Sequence, residues 1–222
     1  MNYVFIYDDS DSSINSRSLL SNCKKRLSCS LIDTQSINEI FVKYCIQQVT
    51  GCKLCDVKIE RDENGKPYVS NFIELYFNLS HSHNLLICVI SEKQVGIDVE
   101  FIKKYTVSDK LVAFFSNIEW AYIQSFQNKA HPFYELWTLK ESYLKYLGVG
   151  LKKRLKSFEI ILTNEGYLVI EKGGIVPIFL QSFEFEYMYR ISVCSHFNKP
   201  IVLNKVSKNN FQQVIKQCCN QP

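Results

Sequence analysis

Nowhere in its 222 residues does the chain carry an apolar run long enough to span a bilayer, so no membrane partner is expected. The opening "MNYVFIYDDSDSS" has a short apolar run but no basic flank and no small-residue cleavage pattern, and it reads as a first strand, not a signal peptide. A basic stripe is missing too. The formal net charge is +4, the lysines are scattered, and the densest cluster, "KKRLK" at Lys152–Lys156, is short. That balance falls well short of a nucleic-acid binder's and leaves a slight preference for acidic or phosphate-bearing partners. Nine cysteines are present, yet nothing organises them: "CKLC" at Cys52–Cys55 is the only C-x-x-C and has no second pair at zinc-ribbon spacing. Unpatterned thiols without an export signal point to the reducing cytoplasm. Cys218–Cys219 read as free thiols in a polar C-terminal tail. A Gly/Ser/Pro-rich linker and internal repeats are likewise lacking.

What is present is apolar. Hydrophobic residues make up 46% of the chain, with 15 Phe and 13 Tyr, enough for one large domain or two small ones sharing a core. Tyr3–Tyr7 is a strand. Ser36–Thr50 has helical periodicity and stops at Gly51. Val57–Ile59 is a short strand before a turn at Asp62–Tyr68. Leu75–Leu79, Leu85–Ile90 and Val95–Val99 are strands, the first two joined by a "SHSHN" loop (Ser80–Asn84). Ser108–Leu147 is helical, with a break near Lys129–Pro132. A hairpin of Phe158–Thr163 and Tyr167–Ile170 follows, then a last strand through Tyr187, Tyr189, Ile191 and Val193. The fold class is α+β, with a seam near Phe101–Thr106.

The strand "VGIDVE" is the most informative. Alternation places Val95, Ile97 and Val99 on one face and Gly96, Asp98 and Glu100 on the other. Two carboxylates on one strand face repel each other unless they are solvated on an edge strand or share a divalent cation. Gly96 leaves room beside them for a ligand. In "WTLKESYLKYLG" (Trp137–Gly148), Leu136, Leu139, Tyr143 and Leu147 form the buried stripe of a helix. Glu141 and Lys145 are i, i+4 neighbours on its far side, where an ordinary surface pair contributes ~0.3–0.5 kcal/mol. Lys140 falls within the apolar arc and must snorkel or find an anion. Hard carboxylates at Asp98, Glu100 and Glu141 suit Mg²⁺, which leaves His81 of "SHSH" and Lys66 of "NGKP" as phosphate contacts. Together they describe a metal-assisted site for a phosphate-bearing substrate.

With these segments in view, the chain resembles 4′-phosphopantetheinyl transferases of the surfactin-synthetase-activating type. The resemblance rests on "GKP" (Gly65–Pro67), "FNLSHS" (Phe77–Ser82), "VGIDVE" (Val95–Glu100), "FFSNIEW" (Phe114–Trp120) and "FYELWTLKESYLKYLGVGL" (Phe133–Leu151), in the family's order. It implies two similar α/β halves about a pseudo-two-fold axis, divided here as 1–103 and 104–222, with coenzyme A at their junction. The implied reaction is attack by a serine hydroxyl of an apo acyl or peptidyl carrier protein on the β-phosphate of coenzyme A, releasing 3′,5′-ADP. Carried over by motif position, Asp98, Glu100 and Glu141 hold Mg²⁺, and Lys145 and His81 face the phosphates. Lys66, Pro67 and Ser80, with His81, face the 3′-phosphoadenosine end. Glu141 is also the implied general base, and Glu119 touches a water on the metal.

One departure stands out. The family's basic stretch before the first long helix reads here "NCKKRLSCSLIDTQSINEIFVK", with Thr34–Gln35 where an arginine is expected and only Lys24, Lys25, Arg26 or Lys43 to replace it. Two other readings remain: a Mg²⁺-dependent nuclease or phosphodiesterase, disfavoured by the thin charge, and a non-catalytic relative that binds coenzyme A or a carrier. The implied partner docks on a hydrophobic groove rimmed by lysines, from Ser108–Gln127 and Lys152–Lys156. Two fused halves let a monomer build the whole site.

Overall fold

In β6 (Val95–Phe101) the alternation is as expected: Val95, Ile97 and Val99 are at most 1% exposed, within an apolar layer shared by two sheets. The computed structural model describes residues 1–10, 37–103 and 108–219. The first sheet has the order β11-β1-β5-β4, from β1 (Asn2–Asp8), β4 (Tyr76–Ser82), β5 (Leu85–Ser91) and β11 (Ile201–Lys205). The second runs β6-β10-β9-β8-β7, adding β7 (Phe158–Thr163), β8 (Gly166–Glu171), β9 (Gly174–Phe185) and β10 (Tyr189–Ser195). Val4, Ile6, Ile87 and Val89 of the first meet Ile97, Ile191 and Val193 of the second, so β5, with both faces covered, is buried along its length.

Each sheet carries helices on its other face. Helix α1 (Ile37–Thr50) and helix α4 (Lys208–Cys219) pack Phe41, Ile46, Phe211 and Ile215 onto the first. On the second lies α3 (Ala130–Leu147), through Leu136, Leu139 and Tyr143, with α2 (Asn117–Gln124) beside it. The protein is thus α+β, with two similar α/β halves. They are closed in space, not along the chain: β11 returns to pair with β1, and β6 pairs with β10. Residues 104–107, where the division at 103/104 was drawn, lie outside the described residues.

Several expectations are corrected. "SHSHN" is not all loop, because Ser80–Ser82 continue β4 and the turn is confined to His83–Asn84. The C-terminal segment is no polar tail but helix α4, whose Phe211 and Ile215 are fully buried. β9 and β11 escaped the reading of alternation, since β9 exposes Ile175 and Phe179 and β11 is a short edge strand. A short hairpin of β2 (Ile59–Arg61) and β3 (Pro67–Val69) stands apart from both sheets. Among the described residues no helix is long and apolar enough to cross a membrane. The cysteines described there, Cys52 and Cys55 included, are free thiols.

Candidate active site

The site begins with an approach that only glycine permits. A Cβ on Gly96 would lie 2.1 Å from the Ser142 carbonyl oxygen and 2.4 Å from the Tyr146 nitrogen, both backbone atoms of α3. Gly96 therefore makes room for a helix and not, as first read, for a ligand. Through that contact α3 lies on β6, and Glu141 and Lys145 come to the face that carries Asp98 and Glu100. Among the described residues Lys145 does not form the ordinary surface pair with Glu141 that their spacing offered. Lys145 Nζ donates instead to Asp98 Oδ1 at 2.8 Å and to Ser80 Oγ at 2.7 Å.

The other wall is β4, which meets β6 through side chains. Asn78 Oδ1 accepts from the Ile97 amide at 2.9 Å, Ser80 Oγ donates to Asp98 Oδ1 at 2.8 Å, and Ser82 Oγ donates to Glu100 Oε2 at 2.8 Å. Asn78, Ser80 and Ser82 alternate on one face of β4, so the motif N-x-S-x-S is a polar seam between the halves. β6 is an edge strand of its own sheet, as the bland reading had it, but this seam and α3 bury it. Strand alternation turns His81 the other way, onto the side of Phe77 and Leu79, where it is exposed. His81 is not brought to the carboxylates.

Crowded acids at the seam titrate abnormally. Burial raises the Glu141 carboxyl above its ordinary range, and the Asp98 and Glu100 charges add to the rise, against Lys145. Glu100 is raised by burial first and then by Asp98, opposed by the Ser82 hydroxyl and Lys145. Asp98 is 4% exposed and its Oδ2 is buried with no hydrogen-bond partner. A hard, multivalent cation would relieve all three features, and the all-oxygen donor set fits Mg²⁺. Among the described residues no group of three or more His, Cys, Asp or Glu stands at metal-holding spacing. Lys145, seated on Asp98, holds that position in this arrangement.

Lys140 has found its anion. It is fully buried, donates to Glu119 Oε1 at 2.5 Å and to the Phe158 carbonyl at 2.9 Å, and lies over the Phe158 ring. Burial pushes its ammonium pKa down, opposed by Glu119. Glu119 also accepts from the Ile160 amide and closes a capping box with Ser116 at the start of α2. Both of its oxygens are thus engaged in the interior, one with Lys140 and the Ile160 amide and the other with the Ser116 amide.

Lys66 is turned inward. Its Nζ donates to the carbonyls of Lys145 at 2.6 Å and Tyr146 at 3.1 Å, and burial lowers its pKa. Pro67 lines a cleft of about 320 Å³ with Asn38, Glu39, Arg61 and Leu79. Sequence reasoning missed Arg61, Asn78 and Ser82. Arg61 was legible only as a cation just before the turn, and the other two as alternate polar residues upstream of an acidic strand. Lys43 is paired with Glu39 at 3.1 Å. Lys24, Lys25, Arg26, Thr34 and Gln35 lie outside the described residues.

Two sheets back to back, with a helix bringing a lysine and a carboxylate onto two strand acids at the seam, define an α+β protein with an acidic, lysine-bearing site between its sheets. The sequence model of the 4′-phosphopantetheinyl transferase superfamily matches residues 94–194, which span β6, α3 and the second sheet through β10. A 4′-phosphopantetheinyl transferase of Bacillus subtilis is 31% identical over 72% of this chain and 72% of its own. The 4′-phosphopantetheinyl transferase gsp of Aneurinibacillus migulanus is 30% identical over 83% and 75%, and Sfp of Bacillus subtilis is 28% identical over 72% and 72%. The chain belongs to the 4′-phosphopantetheinyl transferase family, a family of enzymes.

Proposed function

We propose that the protein transfers the 4′-phosphopantetheine group of coenzyme A to a serine of an apo acyl or peptidyl carrier protein, depends on Mg²⁺ and releases 3′,5′-ADP. The observation that carries this reading is the meeting of Asp98 and Glu100 with Glu141 and Lys145 across the Gly96 contact. Asp98, Glu100 and Glu141 would hold the cation, which supplies charge neutralisation on the pyrophosphate oxygens.

This chain's residues do the rest. The carrier serine oxygen bonds to the β-phosphorus, the bond from that phosphorus to the bridging oxygen breaks, and the electron pair leaves on 3′,5′-ADP. Glu141 takes the serine proton as general base. Lys145 swings from Asp98 to the phosphates, a short move for a side chain that is 28% exposed. The adenosine end lies in the cleft lined by Pro67, Leu79 and Arg61, with Arg61 serving in place of the missing basic stretch.

Carrier docking falls to the exposed apolar residues Val112 (39%), Phe114 (40%) and Ile118 (61%). Lys152 and Lys156 are exposed cations, whereas Lys153 is already paired with Glu171 at 2.6 Å. The protein acts in the cytoplasm as a monomer, without a nucleic-acid or membrane partner.

The test weighs an apo carrier protein before and after incubation with the protein, coenzyme A and Mg²⁺. A mass gain of one phosphopantetheine, lost on chelation and in Glu141→Gln, is the expected result. Coenzyme A binding without any gain across several unrelated carriers would overturn transfer in favour of a binding-only relative.

A further inference from the structure

A lysine whose ammonium bonds only to main-chain carbonyls is an unusual component for a phosphate site. Lys66 sits at the tip of the β2–β3 hairpin, and its ammonium reaches the carbonyls of Lys145 and Tyr146 at 2.6 and 3.1 Å. These belong to the last turn of α3, where helical carbonyls lack intrahelical partners and the helix dipole is negative. Gln94 Nε2 donates to the same Tyr146 carbonyl at 2.5 Å.

The hairpin tip is itself stiff. Asp62 Oδ1 accepts from the Asn64 and Lys66 amides at 2.9 Å each, and Asp62 and Lys66 close a further main-chain bond at 3.0 Å. A second strap runs from Lys152, beyond the helix, to Asn64 at 2.9 Å. Helix α3 ends one residue past the tether, where Gly148 takes the left-handed conformation, φ 74°.

Lys145 therefore carries its side chain on a turn whose own carbonyl is gripped by another part of the chain. We propose that Lys66 is a positioning residue for the transfer reaction, holding the last turn of α3 so that Lys145 is aimed at the seam. This rests on the proposed function and departs from the expectation that Lys66 meets the 3′-phosphoadenosine. Misplacement of a catalytic group by about 1 Å costs on the order of 10²-fold in rate, so a loosened last turn acts on turnover and not on ligand affinity.

The experiment compares Lys66→Met with wild type in carrier loading and in amide hydrogen exchange. Expected are a fall in kcat of about tenfold or more, KM for coenzyme A within about twofold of wild type, and faster exchange confined to the segment 142–150. Lys66→Arg, which keeps two donors, recovers part of the rate. Arg61→Ala should show the opposite split, with KM for coenzyme A raised and kcat kept. A Lys66→Met variant with KM raised about tenfold and kcat intact would make Lys66 a ligand contact and overturn the inference. So would unchanged kcat and unchanged exchange. If Lys66→Met does not fold, Gln94→Leu removes one bond to the same carbonyl and must show the same kcat-selective loss in smaller measure. The exchange arm needs no turnover: wild type inactive on every carrier sinks the proposed function, and the tether still stands or falls on the exchange rates.

Discussion

Asp98 pulls on two kinds of partner, and its neighbours show the cost. Glu141 and Glu100 are each raised by burial and by the charges beside them. A carboxyl whose folded pKa lies above its unfolded value adds stability below the unfolded pKa, about 4.3 for glutamate, and loses it as pH rises through the folded value. At neutral pH the ionised Glu141 therefore weakens the metal-free protein. Glu141→Gln should raise the melting temperature by a few degrees at pH 7.5 in chelator, with the gain vanishing near pH 4, while carrier loading is lost. Equal melting temperatures at both pH values would contradict the crowding argument. Acidification should also weaken Mg²⁺ binding earlier than for ordinary glutamates, because protons hold these carboxyls more tightly; calorimetric titrations at several pH values read this directly. Lys145 competes with any cation for Asp98. Lys145→Met should consequently bind Mg²⁺ more tightly than wild type yet lose about 10²–10³ in kcat, the usual cost of removing a group that stabilises transition-state charge. Weaker Mg²⁺ binding in that variant would show that the ammonium does not stand in the cation's place.

At the scale of elements, the site depends on how closely α3 lies on β6. Gly96→Ala puts a methyl 2.1 Å from a backbone oxygen that cannot rotate away, so the helix must lift or the strand must bend. Overpacking of this kind costs about 1–3 kcal/mol or more. The expected outcome is a melting temperature lower by several degrees and a loss of loading larger than thermal unfolding explains, measured by calorimetry and by carrier mass at a temperature where the variant is folded. The acidic face of β6 and the Glu141–Lys145 face of α3 were legible because strand alternation and helical spacing are local. Asp98 and Glu100 share a face, and so do Glu141 and Lys145, whatever the tertiary structure. What lay hidden was nonlocal. No local pattern says that Gly96 faces a helix backbone and not a ligand, or that the N-x-S-x-S strand spends its polar side chains on β6. Lys66 at a turn tip looked like a free cation, and only the returning end of α3 gives it two carbonyls. Lys140 was half legible, since its place in an apolar arc demanded an anion but did not say which. The short strands β2, β3 and β11 lacked length and the long β9 lacked clean alternation, and Phe211 and Ile215 at helical spacing were overlooked in a polar composition.

For the whole molecule, the back-to-back arrangement sets where a carrier can approach. The seam of β4 and β6 lies between the halves, and the segment from Ser108 through α2 presents Val112, Phe114 and Ile118 to solvent from the second half. Phe114 is braced edge-on against Trp137 of α3 at 5.7 Å, so this apolar surface is coupled to the helix that carries Glu141 and Lys145. A carrier seated there would deliver its serine toward the same helix, and the exposed Lys152 and Lys156 would meet an acidic partner. Ile118 is the most exposed of the three apolar residues and takes no part in the buried clusters described for this half, so changing it should not unfold the protein. Ile118→Asp should raise KM for the carrier protein about tenfold, the effect of truncating a central interface contact worth roughly 1.4 kcal/mol. KM for coenzyme A and the melting temperature should stay where they are. Lys156→Glu should act in the same direction and lose its effect as salt is raised, because exposed charges are screened within about 8 Å at physiological ionic strength. A carrier KM unmoved by either change would place docking on another face of the molecule and leave the chemistry at the seam untouched.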